Sequence, residues 1–219
     1  MSKRFNPVFI STIIVLMVML LASINPLEWS SYLLHQVGTL IFLVMILAMY
    51  RYWHISDKAY VLATIFLLIH IIGARYLYSY VPYDDWTQQL FGIRLNTILG
   101  WQRNMYDRLV HFSYGLLLFS AMYQSLKHLL NTQSVKQLIA ITLMLNMSTS
   151  LLYELFEWGI ATTLSPEAAE AYNGQQGDMW DAHQDMALAL VGGIIAAAMT
   201  VFFDKHKDNE YKQQIIPIK

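Results

Sequence analysis

Cysteine is absent from the 219-residue chain, which excludes disulfides, thiolate nucleophiles and cysteine-ligated zinc. Charge is scarce too. Lys and Arg number 14 against 15 Asp and Glu, 13% of the residues and a formal charge of -1, where a soluble domain carries about 25% charged residues. That deficit excludes a disordered chain and argues against an ordinary soluble enzyme. The even balance of signs leaves no surplus of cations to displace counterions from phosphates, so no nucleic-acid partner is expected. No phosphate-binding loop, GxGxxG signature or serine-nucleophile motif selects a reaction.

What is abundant is apolar sequence, 56% of the chain, gathered into runs near the roughly 20 residues that cross hydrocarbon as a helix. Six runs cover about residues 7–24, 32–50, 59–79, 105–126, 137–161 and 183–203. Stretches such as FISTIIVLMVMLL have no polar face to hydrate. The expected fold is therefore all-α, a polytopic membrane helical bundle of about six transmembrane helices forming one domain over 1–219, with the lipid bilayer as its surroundings. The first run follows Lys3 and Arg4 like a signal peptide, but its apolar stretch is long and Leu21-Ala22-Ser23 is a poor cleavage site, so it is read as a retained span.

Positively charged short loops stay in the cytoplasm. With the N-terminus inside, Lys3, Arg4, Arg51, Lys58, Lys127, Lys136, Lys205, Lys207, Lys212 and Lys219 are cytoplasmic, and Arg75, Arg94, Arg103 and Arg108 lie outside. All acids but Asp57, Asp204, Asp208 and Glu210 then also lie outside, so both termini are expected in the cytoplasm of a bacterial inner-membrane protein. The segment 80–104 is too polar to span yet rich in Leu, Ile and Trp, and it reads as an interfacial stretch. Residues 164–180 read as an acidic turn. Trp29, Trp53, Trp101 and Trp158 stand at span ends as interfacial anchors.

Ionisable residues in a bilayer need partners or water, and here they are not scattered. The fourth span opens NMYDRLVHFSYG, the fifth closes NMSTSLLYELFEWG and the sixth is entered through GDMWDAHQDMALALVGG. At 1.5 Å per residue, Asp107, His111, Glu154, Glu157 and Asp185 fall within roughly 10 Å of the outer boundary. Asp107 and His111 lie one turn apart, Asn146, Ser150, Tyr153, Glu154 and Glu157 share an arc, and Asp178, Asp181 and Asp185 share another that continues through Gly192. Such stripes avoid lipid and are expected to meet around a cavity open to the periplasm, with Arg75 or Arg108 at its rim. Ala189, Gly193 and Ala197 at small-xxx-small spacing permit close helix approach.

Six carboxylates with one imidazole suit a divalent cation, Mg, Mn, Ca or Zn, and Asp107, His111, Glu154, Glu157, Asp181 and Asp185 are the candidate ligands. A salt-bridge network of Arg75, Arg108 and the acids accounts for the same residues, and both readings stand at this stage. His70, near mid-membrane, fits a hydrogen-bonded structural role better than a proton path. His35 can reach the cavity, and His183 points off the acidic face. The tail DKHKDNEYKQQ reads as a solvated end.

The runs YDRLVHFSYG, YELFEWG and GDMWDAHQDM followed by a small-residue helix resemble the YjdF-type family of bacterial inner-membrane proteins, a domain of unknown function, over nearly the whole chain. More distantly the pattern is similar to VanZ-like membrane proteins. Asp107, Arg108 and His111 match the first element of their signature, Glu154 or Glu157 the second, and Asp178, Asp181 or Asp185 the third. Arg108 replaces a Lys there, and Glu157 has no counterpart. The resemblance implies a membrane location and an envelope role, not a reaction. Three functions are compatible with these residues: a metal-dependent enzyme on lipid or envelope-precursor head groups, a structural or partner-binding membrane protein, and a transporter. Transport ranks lowest, because deep polar residues are sparse.

Overall fold

The computed structural model describes residues 6–130 and 134–215, with side chains described except at 167, 170, 171 and 204–215. Lys3, Arg4 and Lys219 lie outside the described residues, as do the side chains of Asp204, Lys205, Lys207, Asp208, Glu210 and Lys212. Among the described residues the regular structure is entirely helical: α1 Pro7–Ala22, α2 Trp29–Trp53, α3 Asp57–Arg75, α4 Tyr83–Phe91, α5 Leu95–Leu99, α6 Tyr106–Leu130, α7 Val135–Ala161, α8 Pro166–Asn173 and α9 Asp181–Ile215. Helices α2, α3 and α7 and the Asp181–Phe203 part of α9 are long and apolar enough to cross a membrane.

Helix ends are set by local chemistry. Asn6 accepts from the Val8 N–H ahead of α1, with Pro7 at the first helical position, where it lacks no needed donor. Glu28 accepts from the N–H groups of Ser30 and Ser31 at the start of α2. These bonds, that from Ser31 foremost, hold its carboxyl below the usual carboxylate value. Asn104 accepts from the Tyr106 N–H at 3.0 Å and so caps α6. α3 ends at Arg75, short of the expected 79, because Leu77 and Tyr78 take left-handed φ of 49° and 53° and turn the chain back over the helix.

The centre of the bundle is α6. It packs against α2, α3, α7 and α9, most extensively against α9, while α1 packs on α3. One apolar core joins α1, α2, α3 and α6, and a second joins α6, α7 and α9. A helix enclosed by neighbours has no need of an apolar surface, so α6 can carry buried Asp107, Arg108, His111, Ser113 and Ser125. Its approach to α9 is backbone against backbone. A Cβ on Gly115 would fall on the Ala189 carbonyl, and one on Gly192 would fall on the Phe112 carbonyl. Of the small-residue stripe expected on α9, Ala189 therefore meets α6, and Gly193 lies between two helices, its backbone N against Gly115 of α6 and its Cβ direction toward Leu143 and Asn146 of α7. Gly192 and Gly115 complete the contact.

The segment 80–104 forms two short helices, α4 and α5, with Leu90, Phe91, Ile98 and Leu99 exposed. The acidic stretch 164–180 is more than a turn: it holds α8, whose Tyr172 is buried.

Candidate functional site

Three helix ends meet at one end of the bundle, tied by the loops before α6 and α9. Asn104 and Gln176 exchange backbone-to-side-chain bonds of 2.9 and 3.0 Å. The Gly174 carbonyl accepts from Ser79, Arg103 and Gln176. Gly174 sits at φ +70° with Asp107 Oδ2 3.7 Å from where its Cβ would be, so this turn needs a residue free to adopt the left-handed region and roofs the acidic cluster.

Beneath it the charges divide into two groups. Arg108 donates to Asp185 Oδ2, to Asp181 Oδ1 at 2.6 Å, to the Asp181 carbonyl at 3.3 Å and to Asp178 Oδ2 at 3.3 Å. Arg103 reaches Asp181 Oδ1 at 2.9 Å and Asp178 Oδ2 at 3.3 Å. Asp178 lies outside the spans. The Trp180 N–H at 2.9 Å, more than the two guanidinium groups, holds its carboxyl below the usual carboxylate value.

The deeper group centres on His111. Its Nδ1 lies 3.5 Å from Glu154 Oε1 and its Nε2 lies 3.6 Å from Asp107 Oδ1. Asp107, His111 and Asp185 each offer a ligand atom, and the three atoms lie within 4.8 Å of one another. Asp185 is 2% exposed, and its Oδ1 has no hydrogen-bond partner among the described residues. A buried carboxylate oxygen in that state costs free energy unless something positive meets it. With all six acids ionised and His111 neutral, Asp107, Glu154, Glu157, Asp178, Asp181 and Asp185 carry -6 against +2 from Arg103 and Arg108, a surplus of -4.

His111 also borders a cavity of about 310 Å³ that runs between α2 and α7. His35, Tyr78 and Tyr172 line it, with the His35 ring 5.2 Å from Tyr78 and 4.8 Å from Tyr172. His70 also lines it and bonds the Tyr78 hydroxyl through Nδ1 at 2.8 Å. The Tyr153 ring lies 5.9 Å from that of His111.

Three sequence expectations need correction. Arg75 is not at the rim of the acidic cluster: its Nη1 donates to the carbonyls of Leu21, Ala22 and Ile24 and so secures the end of α1. Nor does the cluster line an open mouth, since Asp107, Arg108, His111, Glu154, Asp181 and Asp185 are all buried under the Gly174 turn. Asp181 is committed to the two arginines rather than to the His111 group. Arg103 went unassigned to the site, although its place five residues before Arg108, at the entry to α6, is a usable signal. His183 is exposed, with its ring 5.3 Å from that of Trp180 and off the cluster, as its position in the stripe requires.

The family model described as "Predicted membrane protein (DUF2238)" matches residues 7–206, which include every member of this cluster. The chain belongs to that family. Over 196 residues it is 26% identical to "Inner membrane protein YjdF" of Escherichia coli (strain K12), covering 89% of this chain and 90% of that protein. No solved structure matches it. The chain is thus an integral membrane protein, with four helices long and apolar enough to span among the described residues.

Proposed function

We propose that this protein is a metal-dependent enzyme of the bacterial inner membrane, acting on the head group of a lipid or envelope precursor, with Asp107, His111 and Asp185 as ligands of a divalent cation. The observation that carries the reading is the convergence of these three donors within 4.8 Å of one another, beside an Asp185 carboxylate with one buried oxygen that has no hydrogen-bond partner among the described residues. Two carboxylates and one imidazole leave coordination positions free for water or substrate oxygen, the donor pattern of a catalytic rather than a closed structural ion. Glu154 then acts as an orienting partner. Glu154 Oε1 lies 3.5 Å from His111 Nδ1 without a hydrogen bond, so an ion on Nε2, the nitrogen on the Asp107 side, would draw Nδ1–H and Glu154 together as a ligating histidine needs. Glu157 stays in the neighbourhood as a further carboxylate. Asp178 and Asp181 with Arg103 and Arg108 form the outer wall.

The same reading extends to topology. Six spans follow if α1 and the enclosed α6 cross with the four apolar helices, and both termini then lie on the Lys-rich cytoplasmic side, with the site toward the periplasm.

Thermal unfolding of detergent-purified protein with and without Mg, Mn, Ca or Zn tests the metal. An ion bound to the native state raises the midpoint by mass action, and Asp107→Asn, His111→Gln and Asp185→Asn are expected to abolish that rise. A second reading, a purely structural network, is favoured by the three aspartates gathered on Arg108. No stabilisation by any of these ions, together with a large stability loss in Asp181→Asn, which removes a carboxylate held by both Arg103 and Arg108, would leave the network reading in its place.

A further inference from the structure

We infer that the crevice between α2 and α7 takes the hydrocarbon chain of a membrane amphiphile, which enters sideways from the bilayer and brings its head group to His111. This rests on the metal-site reading above and names the substrate class of that site.

Five observations lead there. Helices α2 and α7 both qualify as membrane spans but do not pack extensively on each other. At the cavity edge Leu34, Gly38 and Met45 of α2 and Phe156 of α7 are exposed, so the opening faces hydrocarbon rather than water. Along α2 the cavity runs from Leu34 to Met45, eleven residues or about 16 Å at the helical rise. That is the depth of one leaflet, half of a hydrocarbon core about 30 Å thick.

The walls are graded along this length. Phe42, Met45 and Met122 line the deep part, while His35, His70 and His111 line the end near the acidic cluster. An amphiphile has the same gradient, and its orientation follows from it: chain inward, head group at His111. Access from the water side is obstructed, because the Gly174 turn lies over Asp107 and buried Tyr172 of α8 packs its ring against that of His35. A ligand that reaches His111 therefore arrives from the lipid. The chain remains at the depth it already occupies in the bilayer, so little apolar surface has to be moved into water on entry.

Gly38 supplies the test. It borders the crevice, and a Cβ built there meets nothing within 4 Å, so a side chain can be added at this edge, and Gly38→Trp is the largest that can obstruct the slot. The wild type, Gly38→Trp, Gly38→Leu and Val37→Trp would be reconstituted in phosphatidylethanolamine–phosphatidylglycerol vesicles doped with a phospholipid carrying a diazirine in its acyl chain. After irradiation, adducts would be mapped by mass spectrometry. Val37 is exposed on the same helix outside the cavity lining and controls for a new Trp on the lipid face. Adducts on Phe42 and Met122 are expected in the wild type and Val37→Trp and are expected to be lost in Gly38→Trp and diminished in Gly38→Leu. Undiminished adducts in both Gly38 variants, or adducts confined to outward residues such as Val44 and Leu152, would overturn the proposal.

The Asp185→Asn variant separates this result from the metal reading. It is expected to keep the crevice adducts while losing the metal response. Crevice adducts in a wild-type protein that no metal stabilises would uphold the chain slot and remove the metal. A metal response without crevice adducts would do the reverse.

Discussion

Arg108 on α6 donates to one oxygen of Asp185 on α9, and the second oxygen of the same carboxylate is buried without a hydrogen-bond partner among the described residues. One side chain thus belongs to both halves of the cluster: Oδ2 closes the arginine network, and a ligand atom of the same carboxylate lies within 4.8 Å of those of Asp107 and His111. The network and metal readings are therefore not exclusive. Arg108 aligns the carboxylate that a cation would use.

Removing Arg108 tests the network half. Arg108→Met leaves Asp185 a buried charge without its cation, and loss of one partner of a buried pair costs about 3–5 kcal/mol. Arg108→Lys is expected to recover only part of this, because an ammonium cannot reproduce the guanidinium fork to Asp181 and Asp185. Chemical unfolding in detergent reads both values. A loss in Arg108→Met no larger than that of an exposed pair such as Arg94–Asp85 would contradict the arrangement.

Arg75 is expected to behave differently. Arg75→Met removes the donor to three carbonyls at the end of α1, and bonds from a charged donor are worth about 1.5–3 kcal/mol. A stability loss of that order is expected with the metal-induced rise in unfolding midpoint unchanged. Loss of the metal response in this variant would return Arg75 to the site.

The α6–α9 contact predicts a steric signature. In Gly115→Ala the new methyl falls on the Ala189 backbone, which cannot swing aside as a side chain can. Overpacking of this kind costs about 1–3 kcal/mol, and by separating α6 from α9 it is expected to weaken the metal response as well. Gly38→Ala, with open space at its Cβ, is expected to be neutral or stabilising by up to about 1 kcal/mol through helix propensity. Unfolding midpoints of the two variants check the contrast.

Topology is checked with reporters. Fusions after Lys127 and after Lys219 are expected to report the cytoplasm, and an insertion at Gly174 the periplasm. A C-terminal reporter outside would reverse the orientation and place the His111 site on the cytoplasmic face.

The apolar runs and the polar stripes were legible in the chain because both are local. A helix period of 3.6 residues determines which side chains share a face, and hydrocarbon tolerates no exposed backbone. That was enough to anticipate helices near 32–50, 137–161 and 183–203 and to bring Asp107, His111, Glu154 and Asp185 to one level.

Sequence by itself thus determined that this is an integral membrane protein of helices carrying an acidic stripe on three of them, one of which also bears a histidine. Only the tertiary structure decided which cations serve that stripe. Arg75 and Arg103 look alike in the sequence, but one meets the end of α1 and the other meets Asp178 and Asp181, since pairing depends on which helix ends are neighbours. Periodicity assigns a residue to a face but not that face to a partner. The small residues of α9 allowed close approach, yet it took the position of Gly115 across from Ala189 to say that α6 is the helix approached. The crevice between α2 and α7 is less local still: it exists because two helices that both pack on α6 do not close on each other, a property of the whole bundle rather than of any segment in it.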